Sequence, residues 1–164
     1  MRIGQRLLMS VGALLPTEIR LSLYRAAGMI IGSNTRITPG FYVDRPEGVE
    51  IGNHCFLNHF CHMHNGADKE SRIILGNDVF IGPEVNFICA SHEIGPENMR
   101  AGKDTYGSII VENGVWIGAG VTILSGVKIA RGGVIGAGAV VTKSTEPNGL
   151  YLGIPAKKVR DLSN

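Results

Sequence analysis

The sequence of 164 residues is poor in aromatic residues, in net charge and in cysteine. Aromatic side chains make up 6% of the chain and the net charge is +2, so neither base stacking nor a basic patch favours nucleic acid as a partner. The three cysteines, Cys55, Cys61 and Cys89, are an odd number, which argues against a disulfide scaffold. A reducing compartment, the cytoplasm, is therefore the expected location.

The chain also lacks an apolar run long enough to cross a membrane. The stretch from Leu7 to Leu15 is about half of the required span, and residues 16–18 make a poor signal-peptide cleavage site. Residues 1–27 are predicted to form one or two short helices that cap the rest of the molecule. Peripheral contact of this apolar segment with a membrane surface stays open as an alternative.

Glycine, by contrast, is abundant at 23 residues, and it belongs to a pattern with a period of six. From Val111 the chain reads VENGVW, IGAGVT, ILSGVK, IARGGV, IGAGAV and VTKSTE, with Val or Ile always first and a small or β-branched residue fifth. Blocks that start at Ile51 and Leu75 keep the same phase, whereas an earlier set from Ile31 is two residues out of phase. An insertion near residues 45–48 would explain the slip.

A period of six fits neither an α-helix nor a simple strand. A short strand and a tight turn satisfy it, because one inward aliphatic residue per block fills an axis and one small residue fits each corner. Three blocks close a triangular coil, and stacked coils bury a continuous core. The predicted fold is all-β, a parallel β-helix over residues 28–149 with a protruding loop at 93–107. Residues 1–27 form the helical cap, and residues 150–164 form a strand followed by a C-terminal helix.

This pattern resembles the hexapeptide-repeat acyltransferases over residues 31–160, and the resemblance implies a left-handed coil. The segments CASHEIGPENMR and VWIGAGVTI resemble the maltose and galactoside O-acetyltransferase branch of that family. In that branch a histidine at the start of an extended loop lies 24 residues before a tryptophan, and His92 and Trp116 have the same separation. The resemblance implies acetyl-CoA as co-substrate, no metal, and a homotrimer with active sites between subunits.

His92 is the candidate general base, because an imidazole can take a proton from a hydroxyl near neutral pH. An ordinary surface histidine is the alternative. The resemblance places Asn58 in the acceptor pocket, where its amide would hold a sugar hydroxyl or the forming oxyanion. A turn asparagine that caps its own backbone is the alternative there. Asp44 resembles an aspartate that lines the same pocket.

Six further residues are candidates for binding coenzyme A: Trp116, Ala119, Ala137, Thr142, Lys143 and Lys157. The tryptophan could pack on the pantetheine arm or line the acceptor site, although an outward tryptophan is also typical of a subunit interface. The alanines and the threonine lie where a thin ligand arm could approach the backbone, while coil geometry alone would also explain small residues there. The lysines could bind phosphates or be solvated surface charges.

The segment HFCHMH brings together four potential metal ligands, His59, Cys61, His62 and His64. In the repeat, Cys61 takes the small inward position, and alternation turns its neighbours away from it. We therefore predict no metal site.

These features predict an acetyl-CoA-dependent O-acetyltransferase that modifies a hydroxyl of a sugar or a glycan precursor by direct transfer. The N-terminal segment is more apolar than that of the maltose and galactoside enzymes, which would suit a lipid-linked or polymer-bound saccharide. Two alternatives stay open. One is an acyltransferase for another acceptor (serine, an amino sugar or an antibiotic), and the other is a non-catalytic β-helix scaffold.

Overall fold

The computed structural model describes residues 15–162. Within them, strands of two to six residues alternate with turns and form three main sheets, named A, B and C, and a separate hairpin. The chain visits sheets A, B and C in turn, with parallel pairing between successive visits, so that coils stack along one axis. This is the parallel β-helix that the period of six predicts, and its left-handed sense stays a prediction.

The strands are numbered in chain order. Sheet A contains β1 (Ile30–Ile31), β4 (Val49–Ile51), β7 (Ile73–Leu75), β12 (Ile109–Val111) and β15 (Lys128–Ile129). Sheet B contains β2 (Arg36–Ile37), β5 (Phe56–Leu57), β8 (Phe80–Ile81), β13 (Trp116–Ile117), β16 (Val134–Ile135), β18 (Gly149–Leu152) and β19 (Lys157–Asp161). Sheet C contains β3 (Tyr42–Val43), β6 (His62–His64), β9 (Asn86–Ile88), β14 (Thr122–Ile123) and β17 (Val140–Val141). The hairpin contains β10 (Ala90–Ile94) and β11 (Ala101–Tyr106).

The core lies on the axis of the coil and follows the repeat. Ile51, Leu57 and Met63, which begin three successive blocks, are at most 2% exposed. Cys55 and Cys61, at the fifth positions of two blocks, are buried with them. Full burial of one large aliphatic side chain contributes about 1.5–3 kcal/mol, so the repeat supplies the hydrophobic stabilisation of every coil.

The corners of the coil explain the asparagines and one of the glycines. Between sheets A and B, the side-chain oxygen of Asn77 accepts the backbone N–H of Asn53, and Asn113 does the same for Asn77, each at 2.8 Å. This ladder satisfies backbone donors at the corners. Between sheets B and C, a Cβ on Gly118 would lie 2.6 Å from the backbone nitrogen of Ala137, so the close stacking of the coils requires glycine.

Two departures from the repeat in the first half of the chain pack against each other. A 3-10 turn, Pro46–Gly48, stands where the phase of the repeat slips. The loop after β6 begins at the buried Asn65, whose amide exchanges hydrogen bonds of 3.0 and 2.8 Å with the backbone of Arg45. The Arg45 guanidinium also donates to the carbonyl oxygen of Asp68 at 2.7 Å. The loop is therefore fastened to the coil at both of these points.

The helix α1 (Thr17–Ala26) covers the first coil. Its Tyr24 is fully buried, with its ring 5.6 Å from that of Phe41, and its Arg20 donates to the carbonyl oxygen of Ile37 at 2.6 Å. The rest of the expected cap, and with it the expected membrane contact, falls largely on residues 1–14, outside the described residues. No helix within residues 15–162 is long and apolar enough to cross a membrane.

The expected C-terminal helix is wrong. After β18 the chain turns through residues 153–156, and β19 pairs with β18 in antiparallel register. The segment is short, and an isolated helix of that length is marginal in water. The open edge of sheet B offers unpaired backbone groups that a returning strand satisfies.

The protruding segment at 93–107 is an antiparallel hairpin rather than an irregular loop. Strands β10 and β11 pair Ala90 with Tyr106 and His92 with Asp104. The hairpin leaves the corner between sheets C and A, and Ile109 then rejoins sheet A opposite Ile73. The insertion therefore leaves the register of the coil intact.

Candidate active site

The hairpin fixes the position and the tautomer of His92. Its ring Nδ1 lies 3.0 Å from Oδ1 of Asp104 and 3.3 Å from the carbonyl oxygen of Gly102. Both neighbours can only accept hydrogen bonds, so Nδ1 carries the hydrogen and Nε2 of the neutral ring keeps its lone pair. The His92 side chain is 52% exposed, so Nε2 can be reached from solvent. This is the arrangement that a general base requires.

Asp104 is a candidate site residue that sequence reasoning missed. It is opposite His92 because β10 and β11 pair in this register. Its carboxylate can hold the imidazole in place and stabilise the imidazolium that forms on proton uptake. A hairpin prediction for residues 90–106 would have brought the two residues together, but the polar sequences of the two strands show no alternating pattern.

Asn58 lies at the corner between sheets B and C, directly after β5. Its Oδ1 accepts the backbone N–H of His59 at 2.8 Å, which is the local turn contact of the alternative interpretation. Its Nδ2 has no protein acceptor among residues 15–162, so that N–H group is available to an acceptor hydroxyl or an oxyanion. The two interpretations are compatible, because each uses a different end of the amide.

Asp44 follows β3 at the corner between sheets C and A. Its Oδ1 lies 3.5 Å from Nδ1 of His64, and its Oδ2 accepts the backbone N–H of Gly66 at 3.4 Å. Asp44 lines a cavity of about 490 Å³ together with Tyr42 and the start of the loop after β6. Asp44, expected to line the acceptor pocket, thus lies at the wall of a half-open cavity.

Trp116 lies on the outer face of sheet B and is 59% exposed. The parallel register places it between Phe80 and Val134, and Phe56 follows Phe80 one coil further down. The result is an outward apolar row along the coil. Such a row fits both roles considered for Trp116, ligand packing and subunit contact.

Ala119 and Ala137 occupy the same corner as Asn58, in the last two coils, and both are exposed. Glycines stack tightly against them: a Cβ on Gly82 would lie 2.6 Å from the backbone nitrogen of Ala119. Coil packing thus accounts for the glycines, while the alanines leave a smooth, narrow edge. A thin ligand arm could lie along that edge.

Thr142 and Lys143 are exposed at the corner between sheets C and A, directly after β17, and Lys157 begins β19. The neighbouring Lys158 lies 2.6 Å from carboxylate oxygens of both Glu146 and Asp161, and these bonds raise the pKa of its ammonium. In the part of the chain that the structure describes, Lys143 and Lys157 have no carboxylate partner. Their charges are therefore available to phosphate groups.

The cysteine and the histidines of the HFCHMH segment are dispersed. Cys61 is fully buried inside the coil, whereas His62 and His64 stand on the outer face of sheet C. Among residues 15–162, no three His, Cys, Asp or Glu side chains converge as metal ligands. Burial raises the pKa of the Cys61 thiol to about 11 and raises the pKa values of the free thiols of Cys55 and Cys89, so none of them is an activated nucleophile.

Seven of the nine candidate residues form two groups on two edges of one chain, and the other two, Trp116 and Lys157, lie in sheet B. Asp44, the hairpin with His92, and Thr142 with Lys143 follow the edge between sheets C and A. Asn58, Ala119 and Ala137 follow the edge between sheets B and C. The seven residues from Asn58 to His64, six steps along the chain, separate the two edges by up to about 20 Å. A single chain therefore does not bring all the candidate residues to one point.

Comparison with known proteins agrees with this architecture. Residues 108–143 match the family model for bacterial transferase hexapeptide (six repeats). Galactoside O-acetyltransferase of Lactococcus lactis is 32% identical over 90% of this chain and 70% of its own length. The chain spans 62 to 72% of the lengths of five curated relatives that it matches.

Two solved structures are similar over almost the whole chain. A hexapeptide-repeat acetyltransferase of Vibrio cholerae in complex with acetyl coenzyme A has a TM-score of 0.90 and 30% identity, over 99% of this chain and 87% of that one. A maltose O-acetyltransferase of Clostridium difficile has a TM-score of 0.80 and 26% identity, over 98% and 85%.

The fold and the site define a hexapeptide-repeat β-helix that carries an inserted histidine hairpin. The chain belongs to the hexapeptide-repeat acetyltransferases, enzymes that use acetyl-CoA, and within them to the branch of the galactoside and maltose O-acetyltransferases. The resemblance noted on the sequence is confirmed.

Proposed function

We propose that the protein transfers the acetyl group of acetyl-CoA to a hydroxyl group of a saccharide, with His92 as the general base. The observation that carries the proposal is the position of His92 Nδ1 against Asp104 and Gly102, which leaves Nε2 as the proton acceptor. The galactoside and maltose O-acetyltransferases among the relatives support a sugar as the acceptor.

The reaction needs one proton acceptor and one oxyanion stabiliser, and the chain offers both. Acetyl-CoA supplies an activated acetyl thioester. His92 Nε2 takes the proton from the acceptor hydroxyl while the hydroxyl oxygen attacks the thioester carbonyl carbon. The free N–H of Asn58, or a backbone N–H group, stabilises the negative charge on the carbonyl oxygen. As the carbon–sulfur bond breaks, His92 returns the proton to the sulfur, which leaves free coenzyme A and an acetyl ester.

The residues proposed for coenzyme A fit such a ligand in shape and charge. At the corner in these two coils the chain reads GAG, around Ala119 and around Ala137, so only small residues are there, which suits the pantetheine arm. Trp116 offers an exposed apolar face. Lys143 and Lys157 supply ammonium groups with no carboxylate partner among residues 15–162. Lys158, whose charge is balanced by Glu146 and Asp161, is not needed for this role.

We further propose that the active site is shared between the subunits of a homotrimer. His92 and Asn58 of one chain lie on two separate edges, so a site that uses both residues forms where one edge of a subunit meets the other edge of its neighbour. Closed symmetry would then create equivalent sites around the assembly. The three buried free thiols fit a reducing compartment and support a cytoplasmic location.

Release of free thiol from acetyl-CoA tests the reaction. The protein is incubated with acetyl-CoA and a panel of sugars, nucleotide sugars and oligosaccharides, beside His92→Ala and the control His54→Ala. His54 also lies near an aspartate, Asp78 at 3.5 Å, but on the coil outside the hairpin. Acceptor-dependent release that falls by about 10²–10⁴ in His92→Ala alone supports the proposal. Full activity of a folded His92→Ala protein contradicts the mechanism, and coenzyme A binding without release on any sugar points to another acceptor.

Mixing two inactive variants tests the shared site. His92→Ala lacks the general base on the edge between sheets C and A, and Asn58→Ala lacks the amide on the edge between sheets B and C; each variant alone is expected to be inactive. If each site takes these two residues from different subunits, mixed assemblies contain sites with both residues intact, and activity returns on subunit exchange. No return of activity in assemblies shown by mass to be mixed contradicts the shared site.

A further inference from the structure

The loop after β6, residues 65–72, supports the base of the hairpin that carries His92. A Cβ on Gly66 would lie 2.8 Å from the Tyr106 ring and 3.6 Å from the side chain of Ala90. The backbone of the loop therefore packs directly on the pair Ala90–Tyr106, with which the hairpin begins. The position of this loop sets how closely the base of the hairpin approaches the coil.

The supported face of the hairpin is the face that carries the candidate general base. Side chains two residues apart on a strand lie on the same face. Ala90 and His92 are two residues apart on β10, and their partners Tyr106 and Asp104 are two residues apart on β11, in regular register. His92 is about 7 Å beyond Ala90 along the strand. A tilt at the base of the hairpin therefore moves the imidazole and its carboxylate together.

The end of the loop is joined to the segment that leaves the hairpin. The backbone N–H of Arg72 donates to Oγ of Ser108 at 3.0 Å, and that hydroxyl donates to the carbonyl oxygen of Glu70 at 3.4 Å. The backbone N–H of Ile109 donates to the carbonyl oxygen of Arg72 at 2.8 Å. A shift of the loop would therefore reach the hairpin from both of its ends.

A guanidinium ties the middle of this loop to the coil. Nη2 of Arg45 donates to the carbonyl oxygen of Asp68 at 2.7 Å and to that of Ser71. The backbone of Arg45 is itself paired with the buried amide of Asn65 by two hydrogen bonds. We call Arg45 and Asn65 the clasp. An arginine suits this role because its planar fork holds several N–H donors in fixed directions.

The insertion at residues 45–48 also makes room for the clasp. A Cβ on Gly48 would overlap Nδ2 of Asn65 and lie 2.7 Å from Nη1 of Arg45. Gly48 is buried, so the amide and the guanidinium pack directly on its backbone. The break in the repeat thus supplies both the arginine and the surface on which it packs.

We propose that Arg45 is a positioning residue for His92, which it holds in place through the loop and the base of the hairpin. The inference rests on the proposed function. A general base must lie within hydrogen-bond reach of the proton that it takes. A displacement of about 1 Å at the imidazole can slow the reaction by about 10²-fold.

Loss of the clasp should act on the chemical step and not on the binding of acetyl-CoA. The residues proposed for coenzyme A begin at Trp116, in later coils than the loop and the clasp. A change that only misplaces His92 therefore lowers kcat and leaves the KM for acetyl-CoA unchanged. A general loss of structure would change both quantities.

Steady-state kinetics on three variants test this role. Arg45→Met, which keeps an unbranched side chain but removes its donors, should lower kcat about ten- to hundredfold. Arg45→Lys should retain more of the rate, because its ammonium can still donate to one loop carbonyl. Gly48→Ala should also lower kcat although Arg45 is present, because the φ of Gly48 is outside the left-handed region and its new Cβ acts by displacing the clasp.

Arg72→Met is the matched control. Arg72 belongs to the same loop, but its guanidinium pairs with Glu50 on sheet A and not with the loop. Its kcat should stay that of the wild-type protein. Thermal melting establishes which variants are folded, and where Arg45→Met is not, Gly48→Ala carries the same comparison. An equal loss of kcat in Arg72→Met, or a rise in the KM for acetyl-CoA as large as the fall in kcat, overturns the inference.

Hydrogen exchange separates this inference from the proposed function. Mass spectrometry follows the amides of residues 90–106 and those of the coil strands in the wild-type protein, Arg45→Met and Arg72→Met. Exchange in the hairpin should be faster in Arg45→Met alone, with the coil unchanged, because the hairpin opens locally when its base is released. That result supports the positioning role even if no saccharide is acetylated. Unchanged exchange in the hairpin of Arg45→Met, or equal acceleration in hairpin and coil, contradicts it.

Discussion

The replacement of Asp104 by asparagine should slow acetyl transfer about tenfold without changing the fold. Asparagine keeps an oxygen that can accept the Nδ1–H of His92, and the carbonyl of Gly102 still accepts the same hydrogen. The tautomer is therefore preserved. What is lost is the attraction between the carboxylate and the imidazolium that forms when His92 takes the proton.

The geometry sets the size of that loss. Two unit charges 3.0 Å apart attract each other by about 1.4 kcal/mol in water and by about 5–6 kcal/mol at an effective dielectric constant of 20. The side chains of His92 and Asp104 are 52% and 62% exposed, so the value near that of water applies. A loss of about 1.4 kcal/mol from the transition state is a tenfold lower rate.

The assay is the steady-state rate of thiol release at saturating acetyl-CoA and acceptor, over a range of pH. The fall should be in kcat rather than in KM, because the charge pair forms only as the proton moves. Asp104→Glu should retain part of the activity, and Asp78→Asn, which alters the His54–Asp78 pair on the coil, should retain all of it. An unchanged rate for Asp104→Asn would refute the electrostatic role. A loss as large as that of His92→Ala would show that Asp104 does more than stabilise the imidazolium.

Three further predictions concern the ligand, the core and the corners. Lys157→Ala should raise the KM for acetyl-CoA about three- to tenfold, and Lys158→Ala should raise it less, which initial-rate kinetics will show; equal effects would contradict the assignment. Burial raises the pKa of the Cys61 thiol from about 9 to about 11, so the unfolded chain loses this proton first and stability should fall as pH rises from 9 to 11. Urea titrations should show a weaker fall with pH in Cys61→Ala, and an equal pH dependence of the two proteins would contradict this. Gly118→Ala should lower the free energy of unfolding by about 2 kcal/mol or more, because the added Cβ would lie 2.6 Å from the backbone nitrogen of Ala137. Gly120→Ala, which has open space but a φ of 67°, should cost only about 1 kcal/mol; a smaller effect at Gly118 than at Gly120 would contradict the packing argument.

The coil could be predicted from the sequence because its packing rule is local and repeated. Each block must place one aliphatic residue on the axis, and Ile51 and Ile117 are examples of such buried residues in two different coils. The insertion near residues 45–48 was visible for the same reason, since a break in phase has no other simple explanation. A one-dimensional repeat makes sequence distance and position along the axis nearly equivalent.

The remaining features depend on pairings that no repeat encodes. Asp104 meets His92 only through the register of the hairpin, and both strands are too polar to show alternation. The C-terminal residues are a second example, because the sequence predicts a strand followed by a helix over residues 150–164 and the structure has a strand at Lys157–Asp161. The deciding factor was the free edge of β18, which is a property of the folded coil and not of residues 157–161.

The separation of the candidate residues onto two edges follows from the same geometry. A coil of three sheets places residues six apart on successive corners, so Asn58 and the stretch after His64 cannot face the same point of one chain. An insertion at a single corner, such as the hairpin, can project beyond the coil because the flanking strands keep their register. A rigid coil with a projecting histidine is suited to reach a neighbouring copy. The catalytic geometry is therefore expected to depend on the association of subunits. Dilution to a protein concentration below the dissociation constant of the subunits should abolish activity while the single chain stays folded.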